Sequence, residues 1–287
     1  MKAVISDIKR FAVHDGDGIR TTLFLKGCSL KCIWCHNPEG ISFKPQLAFY
    51  SDKCINCGEC IKVCPNGAHQ ITNGKHFFDR DKCSACGECV EHCYVSALKK
   101  YGDEVTVDEI LPLLLEDKEF YENSNGGVTI SGGECLCQAD FCAELLKKLK
   151  EKGINTAVDT CGFVPREAFD KVLPYTDTFL YDIKAINSDV HIKCTSQPND
   201  LIIENIVYLN SKGAKIEVRI PFVPEYNDNQ IDLMAEFLSG LENVKKVTVL
   251  PYHNFAGSKY YALGMENTLP KTLPTNSQLD EAKEKFK

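Results

Sequence analysis

Three cysteines near the start of the chain have the spacing of a metal-binding loop. Cys28, Cys32 and Cys35 stand in the stretch KGCSLKCIWCHNPEG with the pattern C-x3-C-x2-C. Thiolates are soft ligands that select iron–sulfur clusters, zinc or copper(I). A four-iron cubane normally takes four thiolates, and this stretch supplies three. The pattern therefore favours a cubane with one iron left open for a small molecule. A zinc site completed by His36 is the alternative.

Eight further cysteines form a second group. The runs CINCGECIKVC and CSACGECVEHC begin at Cys54 and Cys83, and both read C-x2-C-G-E-C-x3-C. Such a segment has little apolar core, so bound metal must stabilise it. It resembles a bacterial two-cluster ferredoxin, in which the fourth cysteine of each run ligates the other cluster. The resemblance implies two [4Fe-4S] clusters, one on Cys54, Cys57, Cys60 and Cys93, the other on Cys64, Cys83, Cys86 and Cys89. Zinc is again the alternative.

Composition narrows the classes of function. The 287 residues are 44% hydrophobic, the net charge is −7, and the pI is about 5.6. An acidic chain without a basic stripe argues against nucleic acid as a partner. The sequence has no run of about 18 apolar residues, which a membrane-spanning helix would need. Its N-terminal residues also lack the apolar segment of a signal peptide. We therefore expect a cytoplasmic protein with no membrane partner, whose 16 cysteines serve metal rather than disulfides.

Alternating strands and helices must position the cysteine motifs. Strand-like runs lie at 21–27, 127–131, 155–160, 178–184, 215–220 and 245–252. Helix-like stretches lie at 106–118, 138–152, 165–173, 199–212 and 229–240. The alternation predicts an α/β fold with a parallel sheet. Because six units are too few for a closed eightfold barrel, we expect an open partial (β/α)6 barrel formed by residues 1–49 and 98–287. A doubly wound sheet is the alternative, and residues 50–97 are expected to be a ferredoxin-like insert.

Polar motifs follow the predicted strands at one end. These motifs are SGGE (131–134), DTCG (159–162), DIK (182–184) and PYH (251–253). In parallel α/β folds the active site lies at the carboxyl ends of the strands. Taken singly, each motif has a simpler explanation: Asp159 as a turn residue, Lys184 as a solvated charge, His253 as a surface residue and Gly132–Gly133 as a tight turn. Their shared position predicts one site.

The order of the motifs resembles a known family. The C-x3-C-x2-C loop resembles the signature of the radical S-adenosylmethionine (SAM) enzymes. The segment DGDGIRTTLFLKGCSLKCIWCHNPEG, followed by SGGE, DTCGF, DIK and LPYH, resembles the activating enzymes of glycyl radical enzymes, the family that includes the pyruvate formate-lyase activator. The resemblance implies reductive cleavage of SAM to a 5′-deoxyadenosyl radical, which takes a hydrogen atom from a glycine of a partner enzyme.

The resemblance also implies roles for individual residues. Cys28, Cys32 and Cys35 would hold the catalytic [4Fe-4S] cluster, whose open iron binds SAM. The residues expected to contact SAM are Gly132, Gly133, Glu134, Asp182, Lys184 and His253. Asp159 and Thr160, with Asp182, match positions that hold a sodium or potassium ion. Asp15, Gly16 and Arg20 match the region near which the glycine loop of the partner binds.

Partners and alternatives follow from the same resemblance. A flavodoxin or ferredoxin-type protein would donate electrons, and the inserted module weakly favours a dehydratase or lyase as the glycyl radical partner. The alternatives are an electron-transfer iron–sulfur protein and a radical SAM enzyme that acts on a small molecule or peptide. The sequence departs from the family pattern at Asp17 and Cys135, where proline is usual.

Five cysteines have no cluster spacing: Cys135, Cys137, Cys142, Cys161 and Cys194. Cysteine often behaves as a small buried hydrophobe, and we expect most of the five to do so. Cys137 or Cys161, near the rim, is the candidate for an exposed, oxygen-sensitive thiol.

Overall fold

Twelve β-strands and eleven α-helices make up the fold, and the computed structural model describes all residues from 1 to 287. The strands are β1 (Lys2–Ala12), β2 (Arg20–Leu25), β3 (Gln46–Phe49), β4 (His69–Thr72), β5 (Lys75–Phe78), β6 (Leu98–Tyr101), β7 (Asp103–Thr106), β8 (Gly127–Gly132), β9 (Asn155–Thr160), β10 (Thr178–Asp182), β11 (Ile216–Phe222) and β12 (Val244–Pro251). The helices are α1 (Glu59–Val63), α2 (Glu88–Glu91), α3 (Val107–Leu115), α4 (Lys118–Ser124), α5 (Ala139–Glu151), α6 (Arg166–Val172), α7 (Ser188–Thr195), α8 (Asp200–Ser211), α9 (Ile231–Ser239), α10 (Gly257–Leu263) and α11 (Asn276–Glu284).

Eight of the strands form one open sheet in the order β12-β11-β10-β9-β8-β2-β1-β7. The neighbours from β12 to β2 are all parallel, whereas β1 and β7 extend the sheet antiparallel beyond β2. The six parallel strands coincide with the six that the sequence predicts. The α/β class with a mainly parallel sheet is therefore confirmed, and all six carboxyl ends lie at one edge.

Burial explains why these segments adopt their elements. Phe179, Leu180 and Tyr181 of β10 are all buried, as expected of a parallel strand covered on both faces. In α5 the residues Phe141 and Leu145 face the core, with the lysines on the other side of the predicted amphipathic helix. Burial of each such side chain stabilises the fold by roughly 1.5–3 kcal/mol. No helix of the protein combines the length and apolar character needed for a membrane span.

The cysteine-rich segment leaves the main body between two paired strands. β3 and β6 are antiparallel, with Phe49 opposite Leu98, and the hairpin of β4 and β5 lies between them together with α1 and α2. Each of the two short helices begins after a left-handed glycine, Gly58 (φ 79°) or Gly87 (φ 97°). The two cysteine runs therefore fold alike, as their sequence repeat indicates.

Candidate active site

The three-cysteine loop follows β2 and is anchored by backbone hydrogen bonds. Gly27 N–H donates to Gly40 O (2.8 Å), and Ile33 N–H donates to Cys194 O at the end of α7 (3.0 Å). Burial, with a smaller contribution from the nearby Cys28, raises the pKa of Cys32 to about 12 and that of Cys35 to about 11. The three thiols therefore lie close enough to influence one another, in a setting where bound metal is needed to keep them deprotonated.

The surroundings of the loop favour a cubane over zinc. A structural zinc ion takes four protein ligands, and the loop itself supplies three thiols. His36, the alternative fourth ligand, is engaged elsewhere. Its ring stacks on His253 with centroids 4.0 Å apart, and its Nε2 contacts the His253 carbonyl oxygen. The donor set therefore fits a [4Fe-4S] cluster with three protein ligands.

Glu134 lies at the end of β8 with its carboxylate buried. Its side chain accepts hydrogen bonds from Thr160 Oγ1 (2.8 and 2.9 Å) and from the backbone N–H groups of Cys161 (2.8 Å) and Leu136 (3.0 Å). The residue is 1% exposed. Donors from β9 and its following loop therefore fix an anionic group close to Cys28, whose pKa it influences.

The two glycines before Glu134 allow close packing of the chain itself. A Cβ on Gly133 would lie 2.4 Å from Gly40 O and 2.5 Å from Gly27 O. Gly132 has φ +130°, and a Cβ there would lie 2.1 Å from Leu25 O. Any side chain at these positions would push the cysteine loop away from β8. The glycines thus have a demonstrable role in positioning that loop.

Acidic and basic groups from three strands meet beside Glu134. Asp159 accepts a hydrogen bond from Ser131 Oγ (2.7 Å) and pairs with Arg219 Nη1 (3.1 Å). Burial raises the pKa of Asp159 to about 6, an effect that Arg219 opposes and Asp182 reinforces. Lys184 pairs with Asp182 (2.9 Å). Burial disfavours the charged Lys184, yet Asp182 and Cys32 raise its pKa overall.

Arg219 of β11 is a site residue that the sequence motifs do not reveal. It lies two residues before Pro221, in a strand whose other residues are buried except for the partly buried Pro221. Besides Asp159, its guanidinium approaches Asp15 (3.7 Å). The run KIEVRI gives no signal for it, because Lys215 and Glu217 in the same run are also charged and the partners that a buried charge requires are distant in sequence.

The DGDG loop does not present all of its predicted residues to a partner. Arg20 is 1% exposed; it donates to Thr129 Oγ1 (2.7 Å), Val128 O (2.8 Å) and Asn155 Oδ1 (2.9 Å). It therefore ties β2 to β8 and β9. Asp15 lies against Thr22 Oγ1 (2.9 Å) and Arg219, inside the same charged cluster. Arg20 thus holds this loop in place, and its expected position near the glycine loop of a partner stays a prediction.

His253 follows β12 and completes the rim. Its ring lies between those of His36 and Phe255, whose centroid is 4.7 Å away. The Nδ1 atom of His253 is buried and has no hydrogen-bond partner within the protein. A buried nitrogen without a partner is costly, so a bound ligand with a polar group would satisfy it.

The inserted module encloses two cavities, each lined by four cysteines. One, of about 380 Å³, is lined by Cys54, Cys57, Cys60 and Cys93. The other, of about 280 Å³, is lined by Cys64, Cys83, Cys86 and Cys89. The crossed grouping expected from the ferredoxin resemblance is the grouping that the cavities display. We call them the Cys54 cavity and the Cys83 cavity.

Equivalent backbone donors face the sulfur atoms of both cavities. Ala68 N–H donates to Cys64 Sγ (3.3 Å) and Ala97 N–H to Cys93 Sγ (3.2 Å). In the same way, Asn56 N–H donates to Cys54 Sγ (3.4 Å) and Ala85 N–H donates to Cys83 Sγ (3.3 Å). N–H groups directed at sulfur stabilise thiolates and cluster ligands, so this module also fits iron–sulfur clusters.

Helix α10 connects the inserted module to the three-cysteine loop. On one side Arg80 of the insert donates to Ala262 O (2.7 Å). On the other side Tyr260 OH donates to Cys35 O (2.9 Å), and Lys259 contacts His36 O (3.1 Å) and the Glu39 carboxylate. Glu39 is 8% exposed. The helix therefore holds the cysteine loop through a partly buried ion pair.

This connection leads to a testable prediction for Lys259→Met. The substitution leaves the buried Glu39 carboxylate without its cation, which costs about 1–3 kcal/mol, and the cysteine loop should open more often. We expect a chelator to remove about four irons several-fold faster than from the unaltered protein. Lys271→Met, at an exposed position, is the control. Equal rates in both variants would contradict the role given to α10.

The five cysteines without cluster spacing divide as expected. Cys135, Cys142, Cys161 and Cys194 are buried, and Cys137 is exposed. Cys161 is not merely packing: its thiol hydrogen-bonds to Cys28 and lowers the pKa of that ligand. Of the two rim candidates for an exposed thiol, the structure therefore selects Cys137.

Comparison with known proteins places the chain in a family. Residues 89–238 match the model of the radical SAM superfamily, and residues 47–94 match that of the 4Fe-4S dicluster domain. The chain is 40% identical over 273 residues to the choline trimethylamine-lyase activating enzyme of Oleidesulfovibrio alaskensis, covering 92% of this chain and 88% of the relative. It is 43% identical over 265 residues to the trans-4-hydroxy-L-proline dehydratase activating enzyme of Clostridioides difficile, covering 91% and 87%.

A solved structure shares the fold. The crystal structure of Streptococcus suis SuiB bound to precursor peptide SuiA covers 90% of this chain and 42% of that one, with a TM-score of 0.55 and 15% identity. The chain belongs to the radical SAM superfamily and, within it, to the activating enzymes of glycyl radical enzymes. It is an iron–sulfur enzyme that cleaves SAM reductively and generates a radical on a glycine of a partner enzyme.

Proposed function

We propose that Cys28, Cys32 and Cys35 hold a [4Fe-4S] cluster whose fourth iron is left to the amino and carboxylate groups of SAM. The observation that carries this proposal is the three-thiol loop whose neighbouring histidine, His36, is turned to His253 instead. When bound, the cluster supplies the electron that breaks a carbon–sulfur bond of SAM and so produces the 5′-deoxyadenosyl radical. The residues of the chain orient the two molecules and exclude water and oxygen.

The proposed SAM contacts are Gly132, Gly133, Glu134, Asp182, Lys184 and His253. Three observations support them. Glu134 is an anionic group beside Cys28, suited to an ammonium group. Lys184 lies near Cys32, where a cation suits a carboxylate. Nδ1 of His253 has no hydrogen-bond partner in the protein and could bind a polar group of SAM. The two glycines would contribute backbone atoms, because their own packing leaves no room for side chains.

A sodium or potassium ion is proposed at Asp159, Thr160 and Asp182. Asp159 and Asp182 lie close enough for each charge to affect the other, and a cation between them would relieve the repulsion. Arg219 already offsets part of this charge. Thr160 donates its proton to Glu134 and accepts a hydrogen bond from Gly162 N–H (3.0 Å), so one hydroxyl lone pair remains available to an ion.

Two further [4Fe-4S] clusters are proposed in the Cys54 and Cys83 cavities, which makes three in all. The anaerobically reconstituted protein should then contain about twelve irons. Cys57→Ala and Cys86→Ala should each lose about four of them while SAM still binds, and electron delivery from a protein donor should slow. Quantitative iron analysis with SAM-binding titration measures both. A total near four irons in the unaltered protein would contradict the proposal.

We propose that a flavodoxin or ferredoxin-type protein supplies electrons and that residues 50–97 form the ferredoxin-like insert between residues 1–49 and 98–287. The β3–β6 pairing supports that division, because it brings both ends of the insert together. Exposed thiols at Cys57 and Cys86 give both proposed clusters access to a donor protein.

The main body is proposed to be a partial (β/α)6 barrel. β2 and β12 are separated by five steps across the sheet, which would be about 24 Å if the sheet were flat. Yet His36, after β2, and His253, after β12, have ring centroids 4.0 Å apart. Likewise Asp15, just before β2, lies 3.7 Å from Arg219 of β11. A strongly curved sheet accounts for both contacts.

The glycyl radical partner is proposed to be a dehydratase or a lyase, whose glycine loop enters the site near Asp15, Gly16 and Arg20. The named relatives at 40% and 43% identity activate a lyase and a dehydratase. The test is anaerobic incubation of the reduced enzyme with SAM and candidate partners, including the enzyme encoded beside it. Methionine, 5′-deoxyadenosine and a glycyl radical signal should form together. Formation of 5′-deoxyadenosine without that signal on any dehydratase or lyase would contradict the partner proposal.

A further inference from the structure

Two histidines lie in the wall between the Cys54 and Cys83 cavities. His76 lines the former and His69 the latter. The two rings are diagonal neighbours on one face of the β4–β5 hairpin, where His69 is opposite Phe78 and His76 is opposite Ile71. His69 Nδ1 and His76 Nε2 are 3.0 Å apart, which is a hydrogen bond. The pair therefore links the two proposed cluster sites.

His76 also faces the sulfur ligands of its own cavity. Its Nδ1 is 3.5 Å from Cys54 Sγ, and its Nε2 is 3.7 Å from Cys60 Sγ. The backbone of His76 donates to Asn56 Oδ1 (2.9 Å), and Asn56 N–H donates to Cys54 Sγ. The turn that presents Cys54 thus also fixes the position of the imidazole.

Counting protons shows what the pair can donate. A neutral imidazole has one N–H group, so the two histidines together have two N–H groups. One N–H forms the bond between the rings, and one remains to point outward. His76 Nδ1 has the Cys54 sulfur as a partner, whereas His69 Nε2 is buried and has no hydrogen-bond partner. The geometry therefore places the outward N–H on His76, with His69 donating to it.

The pair breaks the symmetry of the module. The backbone donors are the same for both cavities, two sulfur atoms in each. The position equivalent to His69 in the second repeat, 29 residues later, is Leu98. A difference between the two clusters must therefore arise outside the repeated backbone, and the histidines supply one.

We propose that His76 donates a hydrogen bond to the Cys54 sulfur and so raises the reduction potential of that cluster above its neighbour's, with His69 as the positioning residue that fixes the tautomer. A donor to a ligand sulfur stabilises the additional negative charge of the reduced cluster. An electron that enters the module then resides on the Cys54 side. This inference rests on the proposed presence of both clusters.

The test uses the full chain with alanine at Cys28, Cys32 and Cys35, so that the two module clusters remain. Potentiometric titration followed by electron paramagnetic resonance (EPR) should give two midpoint potentials. In His76→Phe the more positive of the two midpoint potentials should decrease, so the gap, the difference between the two potentials, should narrow. His76→Asn, which keeps an N–H, should restore part of the gap, and His69→Leu should narrow it less than His76→Phe does.

His92→Phe is the matched control, because His92 lines the same cavity but its Nδ1 contacts Glu88 O (2.9 Å); both potentials should stay unchanged. An unchanged or wider gap in His76→Phe, with about eight irons retained, would overturn the inference. If the background chain itself lacks about eight irons, the proposed cluster content fails instead, and the inference falls with it.

Discussion

Alanine in place of Cys28, Cys32 or Cys35 is expected to abolish reductive cleavage of SAM. Each substitution removes one of only three thiolates, and a cubane held by two protein ligands should be lost or inactive. The yield of 5′-deoxyadenosine should fall at least a thousand-fold, which is about 4 kcal/mol of transition-state stabilisation. The assay is dithionite reduction with SAM under anoxic conditions, followed by chromatography of the products.

Cys137→Ala is the matched control for the loop variants. Cys137 is exposed and near the rim but lies outside the C-x3-C-x2-C pattern, so its replacement should leave cleavage intact. Iron content should fall by about four in the loop variants and stay constant in the control. Cleavage at normal rates in any loop variant would mean that this loop does not hold the reactive cluster.

Glu134→Ala is expected to have the second largest effect. The carboxylate satisfies the hydroxyl of Thr160 and two backbone N–H groups inside the protein. Its removal leaves these buried donors unpaired at about 1–3 kcal/mol each and removes the anion proposed to bind the SAM ammonium group. We expect SAM affinity to fall at least a hundred-fold, about 2.7 kcal/mol, with a lower unfolding temperature.

Glu134→Gln separates the two effects. The amide oxygen still accepts from Thr160 or Cys161, so most of the stability should return, but the charge is gone. SAM affinity should therefore remain low while the unfolding temperature recovers. Anaerobic calorimetry and thermal unfolding measure the two quantities, with Glu266→Gln at an exposed position as the control. Normal SAM affinity in Glu134→Gln would show that its charge does not bind the cofactor.

The parallel core of the fold could be predicted from the sequence because its strands contain short runs rich in apolar and β-branched residues that alternate with helix-like stretches. The run TFLYDIK predicts a strand at 178–184, and β10 spans Thr178–Asp182. The antiparallel strands β1 and β7 could not be predicted in this way. β1, KAVISDIKRFA, has polar residues at five of its eleven positions and several exposed side chains. Its pairing with β2 and β7 determines its structure more than its own pattern does.

The cysteine sites could be predicted because their ligands are close in sequence. The grouping of Cys93 with Cys54 required the ferredoxin resemblance, since no local spacing indicates it. Arg219, His69 and His76 could not be predicted, because their partners are distant in sequence or in a different strand. Arg219, for example, is 60 residues after Asp159, and it also approaches Asp15, which lies before β2 at the other side of the parallel strands.

The glycines of the SGGE motif show a limit of motif reading. Their resemblance to the family implies contact with the cofactor. The structure adds that Gly133 is required because Gly27 and Gly40 pack against its α-carbon. A glycine in a motif can thus be required for close packing of the chain as well as for contact with a ligand. The packing role is visible only in the structure.

The most direct test concerns the proposed cluster iron that has no protein ligand. Electron–nuclear double resonance of the reduced enzyme with SAM carrying 15N in its amino group reports which nitrogen is bound to the cluster. We predict a 15N coupling from SAM that disappears when SAM is omitted. A coupling to protein nitrogen that is unaffected by SAM and lost in His36→Ala would show that the protein occupies this iron itself.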